Sequence, residues 1–137
     1  LGVAERVRFP GAAPQSELPA WYRAADALII SSRYESFGLV AVEALATGTP
    51  VVASAAGGLP SIVRDGVNGL LVPWRTPEAF AERLDLLLSD DTLRERLSAQ
   101  ARASVARLAW PHIGDAMRAL FGELSAEAYE AVACCCF

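Results

Sequence analysis

Two glutamates separated by seven residues, Glu35 and Glu43, are the side chains of this sequence best placed to do chemistry. Glu43 interrupts an apolar run, Leu39–Ala46, which has the composition of a buried helix. Burying a carboxylate among apolar side chains is unfavourable unless a polar or charged group meets it. We therefore expect Glu43 to contact either a ligand or a side chain such as Arg33. Glu35 is either part of the same site or a solvated loop residue.

The composition restricts the classes of function open to the chain. Its 137 residues, 53% of them hydrophobic, suffice for one domain with a core but not for two. All 12 basic residues are arginine, so a catalytic lysine is excluded, and the net charge of −4 argues against a nucleic-acid partner. No apolar run approaches the roughly 20 residues that a membrane span requires.

The start of the sequence suggests a piece of a longer protein. It begins with Leu1, its only methionine is Met117, and it lacks the opening of a signal peptide. These features predict a cytoplasmic fragment and leave peripheral contact of the parent protein with a membrane open. Cys134–Cys136 are consecutive and fit neither a disulfide framework nor a metal site, so we expect no metal and assign no role to the tail at 125–137.

Four short β-like runs, those rich in Val, Ile and Leu without polar alternation, predict a parallel sheet covered by helices, the α/β class with a doubly wound arrangement. The runs are Val7–Phe9, Ala27–Ser31, Val51–Ser54 and Gly69–Val72. Helices are predicted at Glu17–Ala25 with Ser16 as N-cap, Leu39–Thr47, Pro60–Arg64, from Thr76, from Thr92, and at Pro111–Leu124. The apolar stripes of the helices from Thr76 and Thr92 favour core faces over a membrane surface.

The loop Ser32–Gly38 joins a strand end to the start of the helix Leu39–Thr47, which is where open α/β sheets bind ligands. Free N–H groups and the helix dipole favour an anion such as phosphate there. Carboxylates repel phosphate but accept hydrogen bonds from diols. Together these preferences predict a nucleotide sugar. A second glycine loop, Ala55–Ser61, is either a phosphate loop or a tight turn.

The stretch ESFGLVAVEALATGTPVVAS from Glu35, followed by GGLPSIVRDGVNGLLVP, resembles the C-terminal domain of the retaining glycosyltransferases of family 4. The resemblance extends from VRFPG at Val7 through ELPAWYRAADALIISS to Trp110. It implies a GT-B fold, here a partial Rossmann-like domain of about four parallel strands over residues 1–124 that is incomplete at its N-terminal side. Ser31 and Ser61 replace the Pro and Glu that the family often has.

The resemblance also implies a role for each site residue. The catalytic position is Glu35, beside the donor sugar, and Glu43 would bind the ribose hydroxyls. The donor-binding positions are completed by the backbone amides of Phe37, Gly38, Leu39 and Val40 at the diphosphate and by Gly11 and Ala12 at the base.

The implied reaction is transfer of a sugar from a UDP- or GDP-type donor to an acceptor with retention of anomeric configuration. No metal is implied, and the sequence has no Asp-X-Asp motif. The acceptor-binding domain and the family's basic pair would lie upstream, so we expect no turnover by the chain alone. Two alternatives stay open: another GT-B enzyme, such as a nucleotide-sugar epimerase or a phosphorylase, and a non-catalytic nucleotide-binding domain.

Overall fold

The structure is a computed structural model that describes residues 2–73 and 76–134, the last nine of them by their backbone alone. The chain divides into two units, Leu1–Ser104 and Val105–Phe137. The first unit begins with a 3₁₀ turn at Ala4–Arg6. It then contains α1 (Leu18–Ala24), β1 (Leu28–Ile30), α2 (Leu39–Thr47), β2 (Val51–Ser54), α3 (Leu59–Ile62), β3 (Gly69–Val72), α4 (Pro77–Ser89) and α5 (Asp91–Val105). The last residue of α5, Val105, is the first residue of the second unit.

The sheet is parallel and has the order β1-β2-β3. The α/β class is therefore confirmed, with three strands among the described residues where the sequence predicts about four. The prediction of a strand at Val7–Phe9 is wrong: these residues form no strand, and the Phe9 side chain is 92% exposed. A strand is stabilised by its ladder hydrogen bonds and by packing against its neighbours, and this segment has neither.

The ends of the helices follow the sequence in two cases. α2 has its predicted bounds, with glycines of positive φ at both ends, Gly38 (97°) and Gly48 (93°). Thr76 caps α4 as predicted, because its hydroxyl accepts a hydrogen bond from the Ala79 N–H at 3.3 Å.

The predicted N-cap of α1 is wrong. Glu17, not Ser16, holds the cap position, and it makes no side-chain capping bond. The groups that Ser16 would cap are unavailable: the Leu18 N–H donates to the Gln15 carbonyl, and Pro19 has no N–H.

One hydrophobic cluster of the first unit's core lies where α4 and α5 cover the sheet. Val52, Leu70 and Val72 from the strands are buried with Leu87 of α4 and Leu97 of α5. The apolar stripes of these two helices face the core as predicted, apart from Leu88 of α4, whose side chain is 51% exposed, and Leu108, which lies beyond the end of α5.

The second unit contains a 3₁₀ turn at Ala106–Leu108 and a long helix, α6 (Trp110–Cys134). The helix crosses residue 124, where the sequence predicts that the domain ends and a tail begins. Of the cysteines, Cys135 and Cys136 lie outside the described residues. Within the described part of the chain, no helix is long and apolar enough to cross a membrane.

Candidate functional site

The loop between β1 and α2 is fixed at two points by the strand and loop beside it. The buried Ser54 hydroxyl, at the end of β2, donates a hydrogen bond to the Ser32 carbonyl at 2.7 Å. Further along, the Gly58 N–H donates to the Glu35 carbonyl at 2.8 Å. The backbone that carries Glu35 is thus tied to the carboxyl end of the neighbouring strand, the edge at which parallel sheets bind ligands.

The glycine pair of the β2–α3 loop allows this close approach. A Cβ on Gly57 would overlap the Glu35 carbonyl oxygen, and one on Gly58 would lie 2.5 Å from the Ser36 carbonyl oxygen. No ordinary side chain fits at either position. The contact supports the turn interpretation of this loop, since both glycines face protein backbone.

Gly38 sets the start of α2. Its φ of 97° lies in the left-handed region, which glycine adopts without strain. A Cβ there would also lie 3.0 Å from the Leu59 Cδ2 atom. The first turn of α2, with the N–H groups that lack partners within a helix, therefore begins directly at the end of the fixed loop.

The residues around this helix start are exposed although they are apolar. Phe37, Leu39 and Val40 are 42%, 65% and 48% exposed, whereas Gly38 is buried. Glu35 is half-buried, and its Cγ atom is 3.8 Å from the position that a Cβ on Gly38 would occupy. The structure thus places the Glu35 side chain beside an accessible helix N-terminus, as the sequence predicts.

Glu43 lies one turn further along α2 and is only half-buried. The Tyr22 hydroxyl of α1 donates a hydrogen bond to its Oε2 atom at 2.9 Å. Burial, followed by the hydrogen bond to Glu43 and the charge of Glu43, raises the pKa of Tyr22 to about 12. The phenol is consequently a neutral donor to the carboxylate across the physiological pH range.

The Tyr22–Glu43 pair lines a groove between α1 and α2 with a volume of about 290 Å³. The remaining lining residues are mainly apolar: Gln15, Leu18, Pro19, Ala46 and Thr47. Gly11 and Ala12, the predicted base-binding residues, are exposed in the segment before α1 and do not line this groove. The lining residue nearest to them in the sequence is Gln15.

Of the predicted site residues, Glu35 and Phe37–Val40 lie together at the start of α2, and Glu43 lies in the groove between α1 and α2. Gly11 and Ala12 are brought to neither place. Two features of the site are not predicted from the sequence: Tyr22, and the contact of Gly57 and Gly58 with the Glu35 loop. The glycine pair is a visible signal for close backbone approach, whereas Tyr22 could be found only by knowing that α1 packs on α2. Within the described residues, no group of three His, Cys, Asp or Glu side chains could hold a metal ion.

Comparison with known families gives a match over most of the chain. The family described as "Glycosyl transferases group 1" matches residues 1–104. This stretch contains β1 to β3, both glutamates and both glycine loops.

Curated proteins named D-inositol 3-phosphate glycosyltransferase are similar in sequence. The protein from Frankia alni is 54% identical over 110 residues, which cover 80% of this chain and 27% of that protein. The protein from Thermobispora bispora is 46% identical over 132 residues, or 96% of this chain and 30% of its own length. The chain thus spans less than a third of these relatives.

Solved structures agree with the fold. Sucrose-phosphate synthase from Thermosynechococcus elongatus is 39% identical, with a TM-score of 0.84 over 91% of this chain and 32% of that chain. HepE from Anabaena in complex with UDP has 29% identity and a TM-score of 0.83 over 89% of this chain and 34% of that one. The HepE complex with UDP-glucose has 32% identity and a TM-score of 0.72 over 78% and 29%.

Proposed function

Because the chain belongs to the glycosyl transferases group 1 family, we propose that it binds the donor of a sugar transfer, a nucleotide diphosphate sugar. The observation that carries this proposal is the position of Glu35 beside Gly38 at the accessible start of α2. A helix N-terminus at the carboxyl edge of a parallel sheet attracts phosphate, and an adjacent carboxylate suits sugar hydroxyls.

Each part of the donor has a proposed partner. The diphosphate would accept hydrogen bonds from the backbone N–H groups of Phe37–Val40, and Glu35 would bind the sugar. The ribose diol would donate to Glu43 in the groove between α1 and α2. Gly11 and Ala12 would lie near the base. Apart from those to Gly11 and Ala12, which precede α1, these contacts use the loop after β1 and the helix α2.

We propose a UDP-type donor, since HepE was solved with UDP and with UDP-glucose. Binding of a GDP-type donor should be measured beside that of the UDP-type donor. D-inositol 3-phosphate is the first acceptor to test, because the curated relatives are named for it. The relatives are more than three times as long as the matched stretch, and we propose that the acceptor is bound by a second domain that this chain does not contain.

In the proposed reaction the bond between the anomeric carbon and the diphosphate oxygen breaks, and the diphosphate keeps the electron pair. The acceptor hydroxyl oxygen forms the new bond to the anomeric carbon, and its proton passes to the departing diphosphate. The product retains the anomeric configuration. Negative charge develops on the departing diphosphate, and preorganised N–H groups at the start of α2 would stabilise it. No metal ion is required for this role. The side chain of Glu35 would orient the sugar beside the breaking bond.

The test compares Glu43→Ala with the wild type in the longer protein that contains both domains. We expect UDP-glucose affinity to fall about 10- to 100-fold, since a hydrogen bond to a charged group contributes about 1.5–3 kcal/mol. Glu82→Ala is the matched control, because Glu82 is an exposed helical glutamate of α4. Calorimetric titration measures both variants, and an unchanged affinity of the Glu43 variant would overturn the assignment.

A further inference from the structure

The hydrogen bond between Tyr22 and Glu43 joins α1 and α2 across a groove. Its acceptor, Glu43, is the residue proposed above to bind the ribose. We propose that Tyr22 is a positioning residue: its hydroxyl holds the Glu43 carboxylate in the orientation that binds the nucleotide ribose. This inference rests on the proposed function of Glu43. It adds a residue outside the two-glutamate motif to the donor site.

A glutamate side chain needs such a partner to be preorganised. Its three rotatable bonds leave the carboxylate free to sample many positions on an open helix face, and a ligand that selects one of them loses affinity. Here the Tyr22 hydroxyl fixes the Oε2 atom at 2.9 Å. The ribose would therefore meet a carboxylate whose position is already set.

Tyr22 is itself held in place by the chain that follows α2. The hydroxyl of Thr49, a residue only 3% exposed, donates to the Tyr22 carbonyl at 2.6 Å. The Thr49 N–H in turn donates to the Ala44 carbonyl of α2 at 3.0 Å. The backbone of Tyr22 is thus tied through Thr49 to the helix that carries Glu43.

The surroundings of the pair favour a ligand role over a purely structural one. Both side chains line the groove of about 290 Å³, and neither is fully buried. The phenol has a raised pKa of about 12, so it stays protonated and donates at neutral pH. The phenol occupies the Oε2 atom of Glu43, and a ligand that enters the groove would meet a carboxylate already held by this hydrogen bond.

The test uses Tyr22→Phe in the longer protein, with Tyr129→Phe as the control, because Tyr129 belongs to α6 of the second unit and to neither the Glu35 loop nor the groove. We expect the KM for UDP-glucose to rise about 5- to 20-fold with kcat nearly unchanged, the effect of one lost hydrogen bond to a charged group. The control should leave both constants unchanged. A purely structural role would lower the unfolding midpoint without a selective change in KM, and that outcome would overturn the proposal.

The Glu43→Ala background separates this inference from the proposed function. If Tyr22 acts through Glu43, adding Tyr22→Phe to Glu43→Ala should not raise the KM any further. If Glu43→Ala leaves donor affinity unchanged, the assignment of Glu43 fails. If Glu43→Ala weakens the donor but Tyr22→Phe does not, the role of Glu43 stands and that of Tyr22 is refuted. An independent, additive effect of Tyr22→Phe also contradicts positioning through Glu43.

Discussion

Gly57 and the carbonyl of Glu35 are in such close contact that a Cβ on residue 57 would overlap the carbonyl oxygen. The next residue, Gly58, donates its N–H to the same carbonyl at 2.8 Å. The position of Glu35 beside α2 therefore depends on a loop that follows a different strand. A change in the β2–α3 loop should disturb Glu35 without touching its side chain.

Gly57→Ala should destabilise the fold by more than a strained turn alone would. Gly57 has a φ of +53°, and so Ala is strained there in addition to overlapping the backbone of Glu35. Gly66→Ala is the matched control, because Gly66 has a φ of +71° but nothing within 4 Å of a Cβ. We expect a loss of about 1 kcal/mol for Gly66→Ala and about 2–4 kcal/mol for Gly57→Ala in urea unfolding. Equal losses would contradict the packing argument.

The elements whose signals are local could be predicted from the sequence. The bounds of α2 follow from Gly38 and Gly48, both of which have positive φ. The strands β2 and β3 are continuous apolar runs, and they lie where the sequence predicts them because a strand covered on both faces has no polar alternation. Glu35 and the start of α2 come together because one short loop connects them.

Asn68 should contribute more to stability than its place in a turn suggests. It is fully buried, with its Oδ1 atom accepting from the Arg64 N–H at 2.7 Å and its Nδ2 atom donating to the Ile62 carbonyl at 3.0 Å and to the Ser104 hydroxyl at 2.8 Å. Asn68→Ala leaves these groups without their partner, so we expect a loss of about 2–4 kcal/mol.

Ser104→Ala removes only one of the contacts of Asn68 and provides the comparison for that variant. We expect it to cost about 1 kcal/mol in the same urea titration. A loss as large as that of Asn68→Ala would mean that Ser104, and not the Asn68 network, carries the stability.

Replacing Glu43 should change the ionisation of Tyr22. The raised pKa, about 12 against an ordinary value of 10, means that the folded chain holds the phenol proton more tightly than the unfolded chain does. The resulting stabilisation is fully present below pH 10 and is lost as the pH rises through 12. Glu43→Gln removes the negative charge, so the pKa of Tyr22 should fall toward 10. It should stay above 10 because burial is the largest cause of the shift.

The ionisation is measured from the near-ultraviolet absorbance of the phenolate in a chain that also carries Tyr34→Phe and Tyr129→Phe, which leaves Tyr22 as the only tyrosine. Circular dichroism at each pH verifies that the chain is folded. A pKa that Glu43→Gln leaves unchanged would show that the hydrogen bond does not form in solution.

Relationships between elements distant in sequence could not be predicted. Tyr22 and Glu43 are 21 residues apart, and their contact depends on how α1 packs on α2. The strand expected at Val7–Phe9 is absent for a related reason: Val and Phe favour an extended backbone locally, but forming a strand requires a neighbour to pair with. The prediction of Ser16 as the N-cap of α1 is wrong because Pro19 lacks the N–H that the cap would use.

Thr76 and Ser16 give a direct test of which helix is capped by a side chain. The Thr76 hydroxyl accepts a hydrogen bond at the start of α4, whereas α1 has no side-chain capping bond. Thr76→Ala should therefore cost about 1 kcal/mol of unfolding free energy, and Ser16→Ala should cost only a few tenths at most. Thermal unfolding of both variants measures the difference, and a larger effect at Ser16 would restore the cap predicted from the sequence.

Gly38 and Gly48 allow the donor site to be tested at constant backbone strain, since they occupy opposite ends of α2 with φ values of 97° and 93°. Alanine is strained at both positions, so each variant should lose about 1–3 kcal/mol of stability. Only a Cβ on Gly38 also approaches Leu59, at 3.0 Å, and shifts the first turn whose N–H groups are proposed to bind the diphosphate. On Gly48 the nearest atom, the Ser98 hydroxyl, is 3.9 Å away.

Calorimetric titration of UDP-glucose into the longer protein, well below the unfolding temperature, separates the two glycines. We expect Gly38→Ala to weaken binding about tenfold or more, which corresponds to about 1.4 kcal/mol. Gly48→Ala should bind like the wild type, because the carboxyl end of α2 lies away from the proposed diphosphate. If both variants bound equally well, the start of α2 would not be the anion site; if both lost affinity equally, the effect would come from general destabilisation of the helix.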